Sequence, residues 1–323
     1  MPRIDSTPKV SVIIPIYRAE NYIEKCCRSL FEQTIDMIEY IFVDDKTPDD
    51  SINILKLTLE EYPQRKKQVK IVEMPVNSKQ AEARNAGLRI ATGEYVIHCD
   101  PDDWVDNDLY ESLYSVGRRN NADIVTADFV MHLANDTLSK IYKYDFFKPL
   151  DLLKPNAFPC LSLCTMLVKR DVIKNNHIEF FKGVNYMEDY GFICRALFVS
   201  KSVFNYHGSL YHYNRTNETS ITKRINDSDI VEQRISCLKY LDNFFKAHSF
   251  DGTTLNAVMR QKRDVKDTFL TLDSLDKWST LFPEVAHWEF KHSHGSFVFR
   301  LVYLISHYIG IWPMRLLLSR SAN

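Results

Sequence analysis

Three aspartates lie within four positions in the segment HCDPDDW, residues 98–104. Carboxylates this close resist ionising beside one another, so the segment is either a solvated turn or a site that holds a positive group. Clustered oxygen ligands suit Mg²⁺ or Mn²⁺, which typically take one or two protein carboxylates and add water and substrate phosphate. Such a cation stabilises the charge on a departing diphosphate. The segment therefore points to chemistry on a nucleotide-diphosphate leaving group.

The composition narrows the classes of function. The 323 residues carry a net charge of -1, with 45% hydrophobic and 26% charged residues, so nothing favours nucleic acid as a partner. The nine glycines form neither the G-x-G-x-x-G motif of dinucleotide-binding turns nor a P-loop. Seven cysteines without a C-x-x-C pair are typical of reduced thiols in a cytosolic protein. The first residues, MPRIDSTPKV, lack the apolar stretch of a signal peptide.

The first 130 residues alternate between short apolar runs and segments with a helical period. The apolar runs predict strands at Val10–Tyr17, Ile38–Val43, Val69–Met74 and Glu94–Cys99. The helical segments are 19–33, 49–61 and 79–91. This alternation predicts an α/β fold with a mostly parallel sheet covered on both faces. Because ligands bind outside the carboxyl ends of parallel strands, we expect the acids that follow the second and fourth strands at one edge.

The last third of the chain has a helical period and predicts appended helices. Between Arg300 and Arg315 lie 14 residues without Asp, Glu, Lys or Arg, which is too short a stretch to cross a bilayer. From residue 291 to the end there are four Lys or Arg and no acid. Aromatic, aliphatic and basic residues together predict an interfacial helix over 296–318 on an anionic membrane. A helix packed in the core is an equal alternative.

Several motifs occur in a fixed order: VSVIIPIYRAENYIEKCCRSLFEQT, IFVDDKTPDDS, AEARNAGLRIATGEYVIHCDPDDW and MEDYGF. In this order they resemble the family 2 inverting glycosyltransferases with the GT-A fold, and the resemblance runs through roughly residues 9–222. It implies a GT-A catalytic domain over 1–222, with a nucleotide-binding half at 9–103 and an acceptor half at 104–222. A helical region at 223–323 would follow.

The resemblance also implies roles for single residues on the donor side. Pro15 and Tyr17 would flank the nucleotide base, and Asp44 or Asp45 would bind the base or the ribose. Arg84 would lie near the donor diphosphate. Simple alternatives exist for two of these residues, because Tyr17 could cap the sheet edge and Arg84 could be a solvated helix charge.

Four carboxylates would carry the chemistry that the resemblance implies. Asp100 and Asp102 would form an aspartate-x-aspartate element, with Asp102 as the direct metal ligand. Asp100 would contact the ribose and is a second candidate ligand for the Mn²⁺ or Mg²⁺ ion. Asp189 would be the general base, with Glu188 as its neighbour. The alternative for the last two is an acid pair at a helix N-terminus, where the macrodipole favours negative charge.

The segment around residues 212–215, with 220–222, would close over the diphosphate. Arg215 would bind the donor there, and His212 is a third candidate metal ligand, although packing or hydrogen bonding is the more common use of such a histidine. The sequence departs from the usual family pattern in having Lys46 in place of glycine, Pro101 between the metal aspartates, and His212 where an aromatic is usual. None of these changes removes a carboxylate that the chemistry needs.

The implied function is metal-dependent, inverting transfer of a sugar from a nucleotide-diphosphate sugar to a glycan or lipid-linked acceptor. Cell-surface polysaccharide or lipopolysaccharide synthesis would be its setting, in the cytoplasm or peripherally on the inner face of the cell membrane. One alternative is a nucleotidyltransferase, which usually needs a glycine- and lysine-rich N-terminal loop that SVIIPIYRAEN lacks. The other is an inactive sugar-nucleotide-binding protein, and the presence of both Asp102 and Asp189 argues against it. Pocket shape and loops decide the sugar, base and acceptor.

Overall fold

The computed structural model of the chain describes residues 7–133, 140–143, 148–150, 162–216, 228–252, 255–292 and 296–321. The chain divides into two compact units. The first consists of residues 1–152 with 159–223, and the second of residues 153–158 with 224–323. Among the described residues, the first unit holds a nine-stranded sheet and the second is helical.

One half of the sheet is parallel. It contains β1 (Val10–Ile16), β2 (Ile38–Asp44), β3 (Val69–Glu73) and β4 (Tyr95–His98), in the spatial order β3-β2-β1-β4. The connecting helices are α1 (Ile23–Phe31), α2 (Ser51–Glu60) and α3 (Lys79–Ile90). All residues of β1 and β4 are buried, as expected for strands covered on both faces. The predicted strands and helices are confirmed, with ends that move by at most four residues.

The other half of the sheet is mixed. Its strands are β5 (Trp104–Val105), β6 (Ile124–His132), β7 (Lys140–Tyr142), β8 (Met166–Lys169) and β9 (Val203–Asn214). Strand β8 runs antiparallel to both β4 and β6, whereas β6 and β9 are parallel. The helices here are α4 (Leu109–Asn120), α5 (Arg170–Asn175) and α6 (Glu188–Val199). The predicted α/β class is confirmed, and the antiparallel strands were not expected.

Helix α3 packs directly on β1 at a glycine. A Cβ atom on Gly87 would come within 2.4 Å of Cγ2 of Ile13 in β1, so a larger residue would push the helix away. In the same turn, Asn85 donates from Nδ2 to the carbonyl of Phe180 at 3.0 Å and accepts from the Phe180 N–H at 2.7 Å. These contacts fix α3 against β1 and against the segment that leads into α6.

The second unit is built from α7 (Ser228–Ala247), α8 (Asn256–Asp267), α9 (Leu275–Thr280), α10 (Val285–His292), α11 (Phe297–Ile309) and α12 (Trp312–Ser321). Its interior contains charges as well as apolar side chains. The buried Lys262 ammonium lies 2.6 Å from a carboxylate oxygen of Asp242 and 2.6 Å from one of Glu284. A buried ammonium is tolerated because two carboxylates pair with it.

The prediction of a single helix over 296–318 is wrong. The helix ends at Ile309 because Gly310 adopts a φ of +95°, and a new helix starts with Pro313 in its first turn, where a missing N–H costs nothing. One face of α11 belongs to the core, since Tyr303 is fully buried and donates to Asp267 Oδ1 at 2.9 Å. In the described ranges, no helix combines the length and apolarity needed to cross a membrane.

Candidate active site

A buried arginine joins two of the predicted acidic groups. Arg84 on α3 is 2% exposed, and its Nη1 donates to Glu188 Oε1 at 2.7 Å while its Nη2 donates to Asp100 Oδ1 at 2.7 Å. Burial lowers the pKa of Arg84, but the charges of Asp100 and Glu188 outweigh this and raise the pKa above its ordinary value. The guanidinium therefore stays charged, and it pairs directly with Asp100, the first of the three aspartates.

The three aspartates of residues 100–103 have different environments. Asp100 is paired with the arginine, whereas Asp103 is buried. Asp103 accepts from the Tyr211 hydroxyl and, at 2.8 Å, from the Asn214 N–H, so that it fastens β9 to the turn. Burial, together with the charges of Asp102 and Asp100, raises the pKa of Asp103 well above its usual range. Asp102, between them, is half-exposed.

The second acidic pair begins helix α6. Met187 precedes it with a φ of +63°, a left-handed conformation that costs a non-glycine residue about 1–3 kcal/mol and is typical of functional sites. Glu188 and Asp189 then occupy the first turn, where the helix macrodipole favours carboxylates. Glu188 is buried against Arg84, whereas Asp189 is half-buried and accepts from the Tyr190 N–H at 2.7 Å. The two side chains therefore point to different surroundings.

Both of these carboxyl groups have raised pKa values. Burial, and the neighbouring charge of Asp189, raise the pKa of Glu188 from 4.5 to about 7, although Arg84 opposes the shift. Burial also raises the pKa of Asp189, again against the influence of Arg84. Since the two groups are adjacent, they titrate as a pair. The pair takes up a proton closer to neutral pH than isolated carboxyl groups do.

The acids after β2 serve different purposes. Asp45 is buried and accepts from the N–H groups of Ser78 at 2.6 Å and Lys79 at 2.8 Å, so both of its oxygens cap the start of α3. Asp44 is half-buried and accepts from the Thr47 N–H at 2.8 Å through one oxygen. Asp44 and Asp45 were the two aspartates predicted to bind the nucleotide base or the ribose. Of these two, only Asp44 retains an oxygen without a hydrogen bond among the described residues.

Three further residues lie at the ends of β1 and β3. Pro15 is buried in β1 opposite Val43, and Tyr17 directly after the strand is 41% exposed. Asn77, which is not among the predicted site residues, has both side-chain amide atoms buried without a hydrogen-bond partner in the described part of the chain. A buried orphan amide is rare enough to require an explanation. An asparagine between a strand end and the capped helix was the available sequence signal.

His212 belongs to a hydrogen-bonded cluster on β9. Its Nε2 lies 2.9 Å from Asp106 Oδ1 and its Nδ1 lies 3.0 Å from His132 Nε2, while its ring stacks on Trp104. Both ring nitrogens are thus engaged, and binding a cation would break one of these bonds. Arg215 is exposed, and its backbone N–H donates to the His132 carbonyl at 2.9 Å. Residues 220–222 lie outside the described residues.

A divalent cation fits this site only when a bound diphosphate supplies the remaining oxygen atoms around it. No group of three or more His, Cys, Asp or Glu side chains in the described ranges could hold a metal by itself. A cation on a diphosphate needs only one or two protein carboxylates, and Asp102 can provide one. Asp100 can provide another through Oδ2, because Arg84 and Gln80 both bind its Oδ1.

Among the predicted site residues, Arg84, Asp100, Glu188 and Asp189 come together in one cluster, through ion pairs and adjacency along the chain. Pro15, Tyr17 and Asp44 lie at the carboxyl ends of the parallel strands. His212 and Arg215 lie on or just beyond β9, which the Tyr211 hydroxyl connects to the same turn. An acidic turn, a buried arginine and a carboxylate pair at a helix start are the components of the site.

Residues 11–176, just over half of the chain, match the family model described as Glycosyl transferase family 2. The relatives include EpsH of Bacillus subtilis (strain 168), which is 28% identical over 290 residues, 85% of this chain and 78% of EpsH. They also include the poly(ribitol-phosphate) beta-N-acetylglucosaminyltransferase TarP of Staphylococcus aureus (strain N315). TarP is 24% identical over 292 residues, 85% of this chain and 87% of its own length.

Two solved structures share the fold. The crystal structure of S. aureus TarS 1–349 aligns with a TM-score of 0.69 at 18% identity, over 98% of this chain and 92% of that one. TarS 1–349 has also been solved in complex with UDP-GlcNAc. The mannosyltransferase PcManGT from Pyrobaculum calidifontis, in complex with GDP-Man and Mn²⁺, aligns with a TM-score of 0.57 at 16% identity. The alignment covers 98% of this chain and 84% of PcManGT. At these identities the similarity shows the fold alone, and it confirms the expected GT-A architecture.

Proposed function

The chain belongs to glycosyl transferase family 2 and is a glycosyltransferase, and from this premise we propose which reaction it performs. It moves a sugar from a nucleotide-diphosphate sugar to a glycan or lipid-linked acceptor, with inversion and with a divalent cation. The observation that carries this proposal is the double ion pair of Arg84, at 2.7 Å to Asp100 and 2.7 Å to Glu188. This pair of contacts connects the turn proposed to hold the leaving group with the helix start proposed to supply the general base.

On this proposal the nucleoside binds at the ends of β1 to β3. Tyr17 and Pro15 flank the base, and Asp44 accepts a hydrogen bond from the base or ribose. The orphan amide of Asn77 offers a donor and an acceptor, which is the pattern that a base edge can match. The nucleotide-sugar complexes of TarS and PcManGT support a donor of this class.

The leaving group would be held at the turn formed by residues 100–103. Asp102, with Oδ2 of Asp100, would hold Mn²⁺ or Mg²⁺, and the Mn²⁺ in PcManGT supports this choice. When bound, the cation supplies Lewis-acid stabilisation of the departing diphosphate. Arg84 holds Oδ1 of Asp100 through an ion pair of 2.7 Å, and Arg215, just beyond the end of β9, would contact the diphosphate. His212 is not retained as a ligand, because both of its nitrogens have partners.

Asp189 would act on the acceptor. Its second oxygen, which makes no hydrogen bond within the described ranges, takes the proton of the acceptor hydroxyl. The acceptor oxygen then bonds to the anomeric carbon as the bond from that carbon to the diphosphate breaks on the opposite side. A single displacement of this kind inverts the anomeric centre. Glu188 stays paired with Arg84 and positions the helix start.

The rate of transfer is expected to fall on acidification at a higher pH than an ordinary aspartate would give. The base must be ionised to accept a proton, and burial raises the pKa of both Glu188 and Asp189. A profile of kcat/KM between pH 4 and 9 measures this, with protein stability followed in parallel. A rate that stays constant down to about pH 4.5, near the ordinary pKa of a carboxyl group, would contradict the proposed base.

Nucleoside-diphosphate binding is expected to depend on the cation through Asp102. Isothermal titration should show strong binding with Mn²⁺ and weak binding with chelator. In Asp102→Asn the gain in nucleoside-diphosphate affinity that Mn²⁺ provides should fall. The fall should exceed the roughly 10- to 100-fold loss that is typical when a residue supporting a metal ligand is removed. Asp171→Asn, an exposed aspartate on α5, is the matched control. Equal affinity with and without Mn²⁺ in the wild-type chain would remove the metal from the proposal.

The product of turnover separates the remaining alternatives. Release of a nucleoside diphosphate from a nucleotide-sugar indicates sugar transfer, and release of pyrophosphate indicates nucleotidyl transfer. Binding without a product indicates an inactive sugar-nucleotide-binding protein. The relative TarP is named for a poly(ribitol-phosphate) acceptor. Cell-surface polymers are therefore the first acceptors to test. We place this reaction at the inner face of a membrane, in cell-surface polysaccharide synthesis.

A further inference from the structure

The last two helices of the second unit carry a large uncovered apolar face. Fifteen large hydrophobic side chains are exposed in the described part of the chain, and six of them lie between residues 297 and 316. Each of the six is at least 48% exposed: Phe297, Val298, Tyr308, Ile309, Trp312 and Leu316. Isolated exposed apolar side chains are ordinary, but a contiguous patch marks an interaction site.

This face is continuous along α11 because its residues recur at helical spacing. Leu301 and Ile305 are half-exposed and lie one and two turns beyond Phe297. The opposite side of the helix is fixed in the core, where Tyr303 contacts Trp278 with ring centroids 4.8 Å apart and Ser306 is buried. The helix therefore cannot rotate to hide its apolar side within its own unit.

The charge around this face favours an anionic partner. From residue 291 to the end the sequence has four Lys or Arg and no acid, in a chain of net charge -1. Arg315 is exposed beside Trp312 and Leu316. Basic residues next to Trp, Tyr and aliphatic side chains are the combination that binds the headgroup and acyl boundary of anionic bilayers.

The helix lengths decide how a bilayer could be engaged. Helices α11 and α12 have 13 and 10 residues and are separated at Gly310, whereas crossing the hydrocarbon core takes about 20. Two short helices with one apolar side can lie along a surface. We infer that the uncovered face of α11 and α12 docks on the surface of an anionic lipid bilayer. This inference goes beyond the proposed function. It rests on the proposed function only in the assumption that the acceptor is carried by a membrane.

The test uses the full chain and vesicles of phosphatidylcholine, with or without phosphatidylglycerol. The wild-type protein should sediment with the anionic vesicles, less with neutral ones, and less as salt rises. Replacing Phe297, Ile309 and Trp312 together with serine should weaken vesicle binding at least about tenfold. The control replaces Leu57, Ile141 and Leu272, which are 61%, 51% and 44% exposed elsewhere, and should leave binding unchanged.

A charge reversal tests the electrostatic part. Arg315→Glu should weaken binding to anionic vesicles, and Arg119→Glu, also exposed but on α4, should not. The thermal midpoints and the release of nucleoside diphosphate in solution should be unchanged in all variants. A wild-type chain that stays in the supernatant, or control variants that lose as much binding, would overturn the inference. So would size-exclusion chromatography in which the wild type is a dimer and the triple variant a monomer. If vesicle binding holds but no nucleoside diphosphate is ever released, only the proposed function fails.

Discussion

Asp189→Asn is expected to lower turnover by roughly 10² to 10⁴ while donor affinity stays near that of the wild type. The substitution keeps the shape of the side chain and its hydrogen bond from the Tyr190 N–H, but it removes the oxygen that accepts the acceptor's proton. Single-turnover rates and isothermal titration with the donor separate the chemical step from binding. The loss should therefore appear in the rate and not in the dissociation constant.

Glu188→Gln is the matched control for this prediction. The glutamine remains within reach of Arg84, and the charge that it removes is buried and not directed at the acceptor. We expect a smaller loss of rate than for Asp189→Asn. A wild-type rate in Asp189→Asn, or a loss of donor binding in that variant, would show that Asp189 has another role.

Arg84→Met is expected to destabilise the full chain by about 3–5 kcal/mol, the usual cost of breaking a buried ion pair from one side. Asp100 and Glu188 would lose the guanidinium that each contacts at 2.7 Å. The carboxylate of Glu188 would then stay buried without its ion pair or take up a proton, whereas Asp100 would keep its hydrogen bond from Gln80. Urea denaturation at pH 7.5 measures the loss, which should be smaller at pH 5, where protonation removes the uncompensated charge.

Arg84→Lys distinguishes charge from geometry. Lysine keeps the positive charge but cannot reach two carboxylates with a planar fork, so stability should be intermediate. Turnover should still fall, since neither Asp100 nor Glu188 would be held in place. Arg84→Met with wild-type stability at pH 7.5 would mean that these ion pairs contribute little, and that the site is organised by other contacts.

The sequence allowed the parallel half of the sheet to be predicted, because fully buried strands leave continuous apolar runs and their helices leave a helical period. It also allowed the prediction that acidic residues meet at one edge of the sheet. Parallel strands end at the same edge, and Asp44 and Asp100 lie at the ends of two of them. The family was identified from the order of the motifs, and the match over residues 11–176 confirms it.

The individual partners could not be predicted, because they depend on contacts between distant parts of the chain. Nothing near Arg84 in the sequence indicates that it pairs with Glu188, or that Tyr211 fastens Asp103. The orphan amide of Asn77 is visible only once its surroundings are known. The break at Gly310 does have a sequence signal, a glycine followed by Pro313, but the apolar residues on both sides of it favour one continuous helix.

The double hydrogen bond between Asn85 and Phe180 has a consequence for how such an enzyme can diversify. Together with the ion pair of Glu188, it secures both ends of the segment that precedes α6. Between these ends Lys182 is exposed, whereas Val184 is buried and Gly183 has a φ of +77° that favours glycine. Substitutions at Lys182 can therefore accumulate without moving the carboxylate pair. Natural variation can change this exposed position while the carboxylate pair is inherited unchanged.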